Sequence, residues 1–280
     1  MAGTLYLVPT PIGNLGDISQ RMADTLEQAD FIAAEDTRVT VKLLNHLGIK
    51  KPMVSYYRHN TGPSGQAILA RLLAGECCAL VTDAGTPAVS DPGEELVALC
   101  AQHGVEVVCI PGPCALITAL AVSGLPTGRF TFEGFLAMNK KNRRAHLEEL
   151  RQEQRTMIFY EAPHKLNATL ADLAEVFGPD RRISLCRELT KLHEEVRRTT
   201  LGEAAAWYEA NPPRGEFVLV VEGAPETAAA APAPEDALAR VAELREQGLS
   251  LRDAVKQAAK ETGLPKNELY DRAVGKHVEA

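Results

Sequence analysis

Cys78-Ala79-Leu80-Val81-Thr82-Asp83-Ala84-Gly85-Thr86-Pro87-Ala88-Val89-Ser90-Asp91-Pro92-Gly93-Glu94-Glu95-Leu96-Val97-Ala98-Leu99-Cys100 is the stretch that decides the architecture of this chain. Its first four residues are apolar and read as a buried strand. Its last seven read as a helix. Between them glycine, proline and small residues let the backbone approach a ligand closely at the carboxyl end of the strand. A loop built for phosphate would offer backbone N–H groups and a lysine. This loop offers Asp83 and Asp91 instead, which suit hydroxyls, amines or a cation.

The same alternation extends in both directions. Thr4-Leu5-Tyr6-Leu7-Val8 reads as a strand ending in the turn-rich Pro9-Thr10-Pro11-Ile12-Gly13-Asn14. A helix follows, capped by Asp17 or Ser19, with Met22, Leu26 and Ala29 on one face. Phe31–Ala34 is a second strand, stopping at Glu35-Asp36-Thr37-Arg38, and Val39–Leu47 is a helix closed by Gly48. Met53–Tyr56 is a short strand, and Gly65–Ala74 a helix. Val105–Ile110 is a strand that runs through Pro111-Gly112-Pro113-Cys114-Ala115 into an apolar helix ending near Val122. Strands alternating with helices predict a mostly parallel α/β sheet, whose ligands bind outside the carboxyl ends of the strands.

The second half predicts another α/β domain with a partly antiparallel sheet. Its strands are Phe130–Phe135, Thr156–Tyr160, Arg182–Cys186 and Phe217–Gly223, and its helices Arg143–Arg151 and Leu166–Phe177. The expected division is a first domain at 1–124, a second at 125–224, an Ala/Pro linker at 225–234 and a helical domain at 235–280. In the last, Ser250 caps a helix running to Gly263, Leu264-Pro265 is a turn, and Lys266 starts another helix. This pattern fits a helix-turn-helix or a plain helical hairpin.

The 280 residues carry 30 Lys and Arg against 37 Asp and Glu, a net charge of −7. That argues against attraction to nucleic acid over the whole surface but permits a local basic face. Lys140-Lys141-Asn142-Arg143-Arg144, Arg181-Arg182 and Arg197-Arg198 are the candidates. No apolar run reaches the length of a membrane span, and no secretory leader is read at the N-terminus. Six cysteines, none in a C-x-x-C pair, suggest reduced thiols in a cytoplasmic protein. Neither a G-x-G-x-x-G nor a G-x-x-x-x-G-K-[ST] loop is present, nor H-E-x-x-H, nor G-x-S-x-G. No metal site is expected. What remains is a set of small-residue and acidic loops at strand ends, in two domains, suited to a ligand held between them.

Seven of these segments, in order, resemble the tetrapyrrole (class III) methylase superfamily. They are Val8–Leu15, Ala34–Arg38, Asp83–Gly93, Pro111–Ala115, Phe159–Lys165, Arg187–Lys191 and Gly215–Val218. Within it they are most similar to the ribosomal RNA small-subunit methyltransferase I branch. The resemblance spans nearly the whole chain, helical tail included. Cys114 departs from the pattern, since relatives commonly carry serine there. The resemblance implies two α/β domains with S-adenosylmethionine in the cleft between them, plus a small C-terminal helical domain. It implies a homodimer acting on 16S rRNA in the 30S ribosomal subunit, at the ribose 2′-hydroxyl of a decoding-centre cytidine (cytidine 1402).

By the same resemblance Pro11, Ile12, Asp83, Thr86, Cys114, Ala115, Tyr160 and Phe217 line the cofactor site. Asp83 either hydrogen-bonds the cofactor or caps its own loop through an Asx turn. Candidates for the catalytic base are Glu188, Lys191 and Glu161, with Glu35, Asp36 and Glu133 also at strand ends. Arg38, Lys165, Arg187 and Lys191 are candidates for RNA phosphates, together with Lys140, Lys141, Arg143 and Arg144. Two other readings stand beside this one. One is a methyltransferase of the same superfamily acting on a tetrapyrrole or corrinoid precursor, or on a diphthine-type modified histidine. The other is an RNA-binding assembly factor without catalysis.

Overall fold

A computed structural model describes residues 1–225, 234–262 and 264–274. Apart from its two end residues, the expected 225–234 linker lies outside the described residues. The chain forms two compact units, Met1–Gly223 and Ala224–Ala280.

The first unit holds two sheets. In the first, β1 (Thr4–Leu7), β2 (Phe31–Ala34), β3 (Met53–Ser55), β4 (Cys78–Val81) and β5 (Glu106–Cys109) run parallel in the order β3-β2-β4-β1-β5. β2 and β4 are buried at every residue, as a parallel sheet covered on both faces requires. Alternate residues feed opposite cores. Phe31, Ala33, Cys78 and Leu80 pack with Ile68, Leu72 and Leu96, from α3 (Thr61–Leu73) and α4 (Glu94–Gln102). Ile32, Ala34, Ala79 and Val81 pack with Met22, Leu26 and Leu44, from α1 (Gln20–Gln28) and α2 (Thr37–Leu47). Ser19 caps α1 by accepting from the Met22 N–H, and Gly48 closes α2 in the left-handed conformation. α3 begins four residues before the expected Gly65, because Pro63 falls in its first turn, where a missing N–H costs nothing.

In the second sheet β6 (Phe130–Phe135), β7 (Thr156–Glu161), β8 (Arg182–Arg187), β9 (Glu195–Thr200) and β10 (Phe217–Val221) take the order β6-β7-β10-β8-β9. Only β6 and β7 are parallel. One face packs on α6 (Lys140–Glu149), α7 (Pro163–Phe177) and α8 (Leu201–Ala210) through Met157, Phe159, Leu170, Leu185, Leu201 and Leu219. The other face receives α5 (Ala115–Ser123), whose Leu116, Ala119 and Leu120 meet Ile158, Cys186 and Val220. The helix assigned by sequence to the first domain therefore packs against the second sheet.

β9 and α8 are absent from the sequence expectation. Arg197 and Arg198 were read there as a surface basic cluster. They lie on an edge strand, where charge discourages pairing with another chain. Arg198 also donates to the carbonyls of Ser123 and Val122, which α5 leaves free at its C-terminus.

Among its described residues the second unit holds three helices, α9 (Pro234–Glu246), α10 (Leu251–Thr262) and α11 (Lys266–Ala273). Val241, Leu244, Ala254, Val255, Ala258 and Leu269 form its core. Ser250 accepts from the Asp253 N–H, the expected cap of α10. Among the described residues, no helix is long and apolar enough to cross a membrane.

Candidate functional site

The connection after β1 leads to β2 on one side, and that after β4 leads to β5 on the other. The crevice beyond the ends of β1 and β4 is thus the topological switch point of the first sheet. The two loops there are tied together. Thr10 and Gly85 exchange both backbone hydrogen bonds at 2.9 Å, and the Thr10 hydroxyl donates to the Thr82 carbonyl at 3.1 Å. The Thr86 hydroxyl donates to the Pro113 carbonyl at 2.9 Å, adding the loop after β5.

Facing these loops are the carboxyl ends of β7 and β8 and the start of β10. A cavity of about 500 Å³ lies between the two sets. Ile12, Asp83, Thr86, Cys114, Ala115, Tyr160 and Phe217 line it, so seven of the eight expected cofactor residues converge. Pro11 lines a neighbouring hollow of about 280 Å³ that shares Asp83. Cys114 is the N-cap of α5 and makes no side-chain cap bond. The Leu116 N–H of that first turn is taken by the Tyr160 hydroxyl at 3.1 Å. Burial raises the Tyr160 phenol well above its ordinary range.

The cavity is acidic on the first-sheet side. Glu35 accepts a long hydrogen bond from the Asp83 N–H at 3.4 Å. Burial raises Glu35 and Asp83 above the usual carboxylate range. Burial, and then the charges of Glu35 and Asp83, push Asp91 up to about 7. Among the described residues nothing donates a hydrogen bond to the Asp91 side chain. Sequence reasoning noted Asp91 as a loop carboxylate but left it out of the site. Its signal was its place thirteen residues past the start of β4, in a loop with no cation.

On the second-sheet side three catalytic candidates part company. Glu161 is 2% exposed and saturated. It accepts from the Thr169 hydroxyl at 2.5 Å and the Ala162 N–H at 2.9 Å, and pairs with Lys165 at 3.0 Å. It anchors the start of α7 and holds Lys165. Glu188 and Lys191 form an ion pair at 2.8 Å, and Lys191 also meets Glu216 at 3.0 Å. The Glu216 N–H donates to Glu188 at 2.9 Å. The Lys191 hydrogen bond holds Glu188 below its ordinary pKa. Partial burial alone would lower Lys191, but the bonds to Glu188 and Glu216 outweigh it and raise the ammonium. Glu216, absent from the sequence-derived site, stands beside Phe217 in the Gly215–Val218 segment.

Strain concentrates here. Among the described residues the non-glycines with left-handed φ are Ala88, Ser90, Glu188 and Thr190, all in the two loops facing the cavity. Gly13 joins the two sides. Its φ is +143°, and an added Cβ would sit 2.4 Å from Lys191 Cγ. Only a glycine lets the lysine stem cross the loop after β1.

The remaining candidates lie elsewhere. Arg38 is exposed and grips its own Asp36, which caps α2. The Arg38 hydrogen bond lowers Asp36 to about 2. Glu133 pairs with His146 at 3.0 Å. Arg187 pairs with Glu195 at 3.1 Å. The expectation that Arg143 meets RNA is corrected. It is 6% exposed and pairs with the equally buried Asp172 at 2.6 Å, because α6 turns that residue inward against α7. Arg144 is paired with Glu175. Lys140 and Lys141 are exposed on the first turn of α6. Among the described residues, no group of three or more His, Cys, Asp or Glu could hold a metal ion.

Two sheets meeting over a cleft at a switch point define a class, and sequence comparison defines the same one. Residues 4–205 match the family described as tetrapyrrole (corrin/porphyrin) methylases, and the chain belongs to that family. Residues 231–276 match a second family, the RsmI C-terminal HTH domain. The chain is 50% identical over 268 residues to "Ribosomal RNA small subunit methyltransferase I" of Synechocystis, covering 96% of each. It is 46% identical to the proteins of that name from Escherichia coli O157:H7, at 97% and 95% coverage, and Bacillus subtilis, at 96% and 93%. Among solved structures, uroporphyrin-III-C-methyltransferase of Thermus thermophilus superposes with a TM-score of 0.55 at 19% identity, covering 78% of this chain and 94% of that one. The methyltransferase CobJ gives 0.57 at 19% identity, covering 80% and 95%. These structures share the fold. The same Thermus enzyme has also been solved in complex with S-adenyl homocysteine.

Proposed function

We propose that this chain is an S-adenosylmethionine-dependent methyltransferase of small-subunit ribosomal RNA, and that its target is the ribose 2′-hydroxyl of a decoding-centre cytidine. The reading rests on near-full-length identity of 46–50% to relatives bearing that enzyme name. We propose also that it works in the cytoplasm as a homodimer on the 30S subunit.

The residues present fit the cofactor. The cavity of about 500 Å³ is ligand-sized. Its carboxylates, raised by burial first and, at Asp91, by the charges of Glu35 and Asp83, are relieved by a cationic ligand. Ile12, Asp83, Thr86, Cys114, Ala115, Tyr160 and Phe217 would hold it, with Pro11 supporting the loop from behind. Because the Cys114 side chain makes no cap bond and Tyr160 takes only the Leu116 N–H, the Ala115 N–H offers a donor for a carboxylate. When bound, S-adenosylmethionine supplies an electrophilic methyl group.

The chain's own work is then alignment and proton handling. Holding a hydroxyl in line contributes up to about 7–11 kcal/mol of the barrier. Glu188, kept ionised by Lys191, accepts a hydrogen bond from the incoming 2′-hydroxyl and is the acceptor for its proton. Lys191 holds that carboxylate in place and neutralises nearby negative charge. Glu161, engaged by Thr169, the Ala162 N–H and Lys165, fixes Lys165 in place.

The test is transfer of labelled methyl groups to 30S particles, free 16S rRNA and tetrapyrrole precursors, followed by mapping of the modified nucleotide. Label in tetrapyrroles alone, or none in RNA, refutes the reading.

A further inference from the structure

Phe135 is 56% exposed, yet it lines the cavity. Its position has an identifiable structural cause. β6 carries a bulge between Phe132 and Gly134, with Gly134 at φ +63°. Without the extra residue, strict alternation would send Phe135 to the face opposite Phe132. With it, Phe132 lies beside Ile158 and Phe135 beside Tyr160, both on the cleft face. Tyr160 then supports both rings edge-on, at 5.0 Å from Phe132 and 5.5 Å from Phe135. Lys165 Nζ lies 5.5 Å from the Phe135 ring centre, anchored by Glu161 at 3.0 Å. The chain beyond Phe135 is exposed through Met138 to Lys140 and Lys141, apart from the buried Leu136.

A half-exposed aromatic ring at a cleft mouth, braced from the side and flanked by cations, has the chemistry of a nucleobase platform. Single-stranded RNA is read by stacking of splayed bases on such rings, while cations meet the backbone. We propose that Phe135 stacks the base of the nucleotide whose ribose enters the cleft, with Lys140 and Lys141 meeting its flanking phosphates. The inference rests on the RNA reading above and adds the residue that positions the substrate.

The test uses the full-length enzyme and the variants Phe135→Ala, Phe135→Leu and Phe135→Tyr. Methyl transfer to 30S particles is measured alongside 30S affinity by filter binding without donor, S-adenosylmethionine affinity by calorimetry, and mass in solution by light scattering. Phe135→Ala and Phe135→Leu should each lose about 10- to 100-fold in kcat/KM and weaken 30S binding, whereas Phe135→Tyr stays within about threefold. Donor affinity and mass should not change. A Phe135→Leu enzyme equal to wild type reduces the ring to apolar packing and overturns the platform. Weakened donor binding would make Phe135 a cofactor contact, and a change of mass an interface residue; either overturns it. A wild-type enzyme that methylates no RNA overturns the functional reading and the platform with it, whereas an RNA-methylating wild type matched by Phe135→Leu overturns the platform alone.

Discussion

Asp91 makes the acidity of the cleft measurable without any ligand. Its carboxyl is pushed from 3.8 up to about 7, by burial first and then by Glu35 and Asp83. A carboxyl raised in the folded state favours folding when protonated, so its contribution is lost as pH climbs from the unfolded value to the folded one. That window runs from 3.8 to about 7. At about 1.36 kcal/mol per pH unit, the ceiling is about 4 kcal/mol. Asp91 keeps part of its surface in water, and screening reduces this to about 1–2 kcal/mol. Asp91→Asn removes the charge and keeps the shape. The variant should therefore be more stable than wild type by that amount near pH 8, raising Tm by about 3–6 °C for a unit of this size. Near pH 4.5 the advantage should largely vanish. Scanning calorimetry of both proteins at the two pH values measures the difference directly. An equal Tm shift at both pH values, or a loss near pH 8, would refute the argument that the loop stores repulsion.

Glu188→Ala and Lys191→Ala should each lower methyl transfer by at least about 10²-fold while leaving donor affinity within about threefold, read by steady-state kinetics and calorimetry. Gly13→Ala places a Cβ 2.4 Å from Lys191 Cγ and should cost about 1–3 kcal/mol in denaturant unfolding. Lys191→Ala in the same chain should restore the part of that stability lost to the clash, leaving the backbone strain at φ +143°, a coupling that a double-mutant cycle reports. Arg143→Ala removes the close partner of the buried Asp172, leaving only Arg144 at 4.0 Å, and should cost about 3 kcal/mol. Lys140→Ala should leave stability unchanged but reduce the salt dependence of RNA binding by about one charge.

The parallel half of the fold was legible because its strands are short apolar runs closed by turn residues. Phe31–Ala34 and Cys78–Val81 are buried at every position and contain no competing signal. Glu195–Thr200 is the reverse case. A strand at a sheet edge needs no apolar face, so its three charged residues, two threonines and single valine read as surface loop. That seven of the residues named by resemblance line one cavity follows from motif order, since the loops at the carboxyl ends of neighbouring strands converge. Basic residues were not, because a linear cluster does not say which members a helix turns inward. Lys140 and Arg143 are three positions apart on α6, and one is exposed while the other is sealed against Asp172. The β6 bulge carries only Gly134 as its trace, and one glycine in an aromatic strand does not fix a register.

The crossing of Lys191 over Gly13 has a consequence for descent. The two positions lie 178 residues apart in the chain, yet they occupy one volume and form one heritable character. A lineage that acquires a side chain at the first must shorten the second or lose the alignment of Glu188. Homologues that keep the glycine are free to keep the lysine. In any that have abandoned it, the partner position should carry a small residue, and the carboxylate it once held should be steadied by another donor.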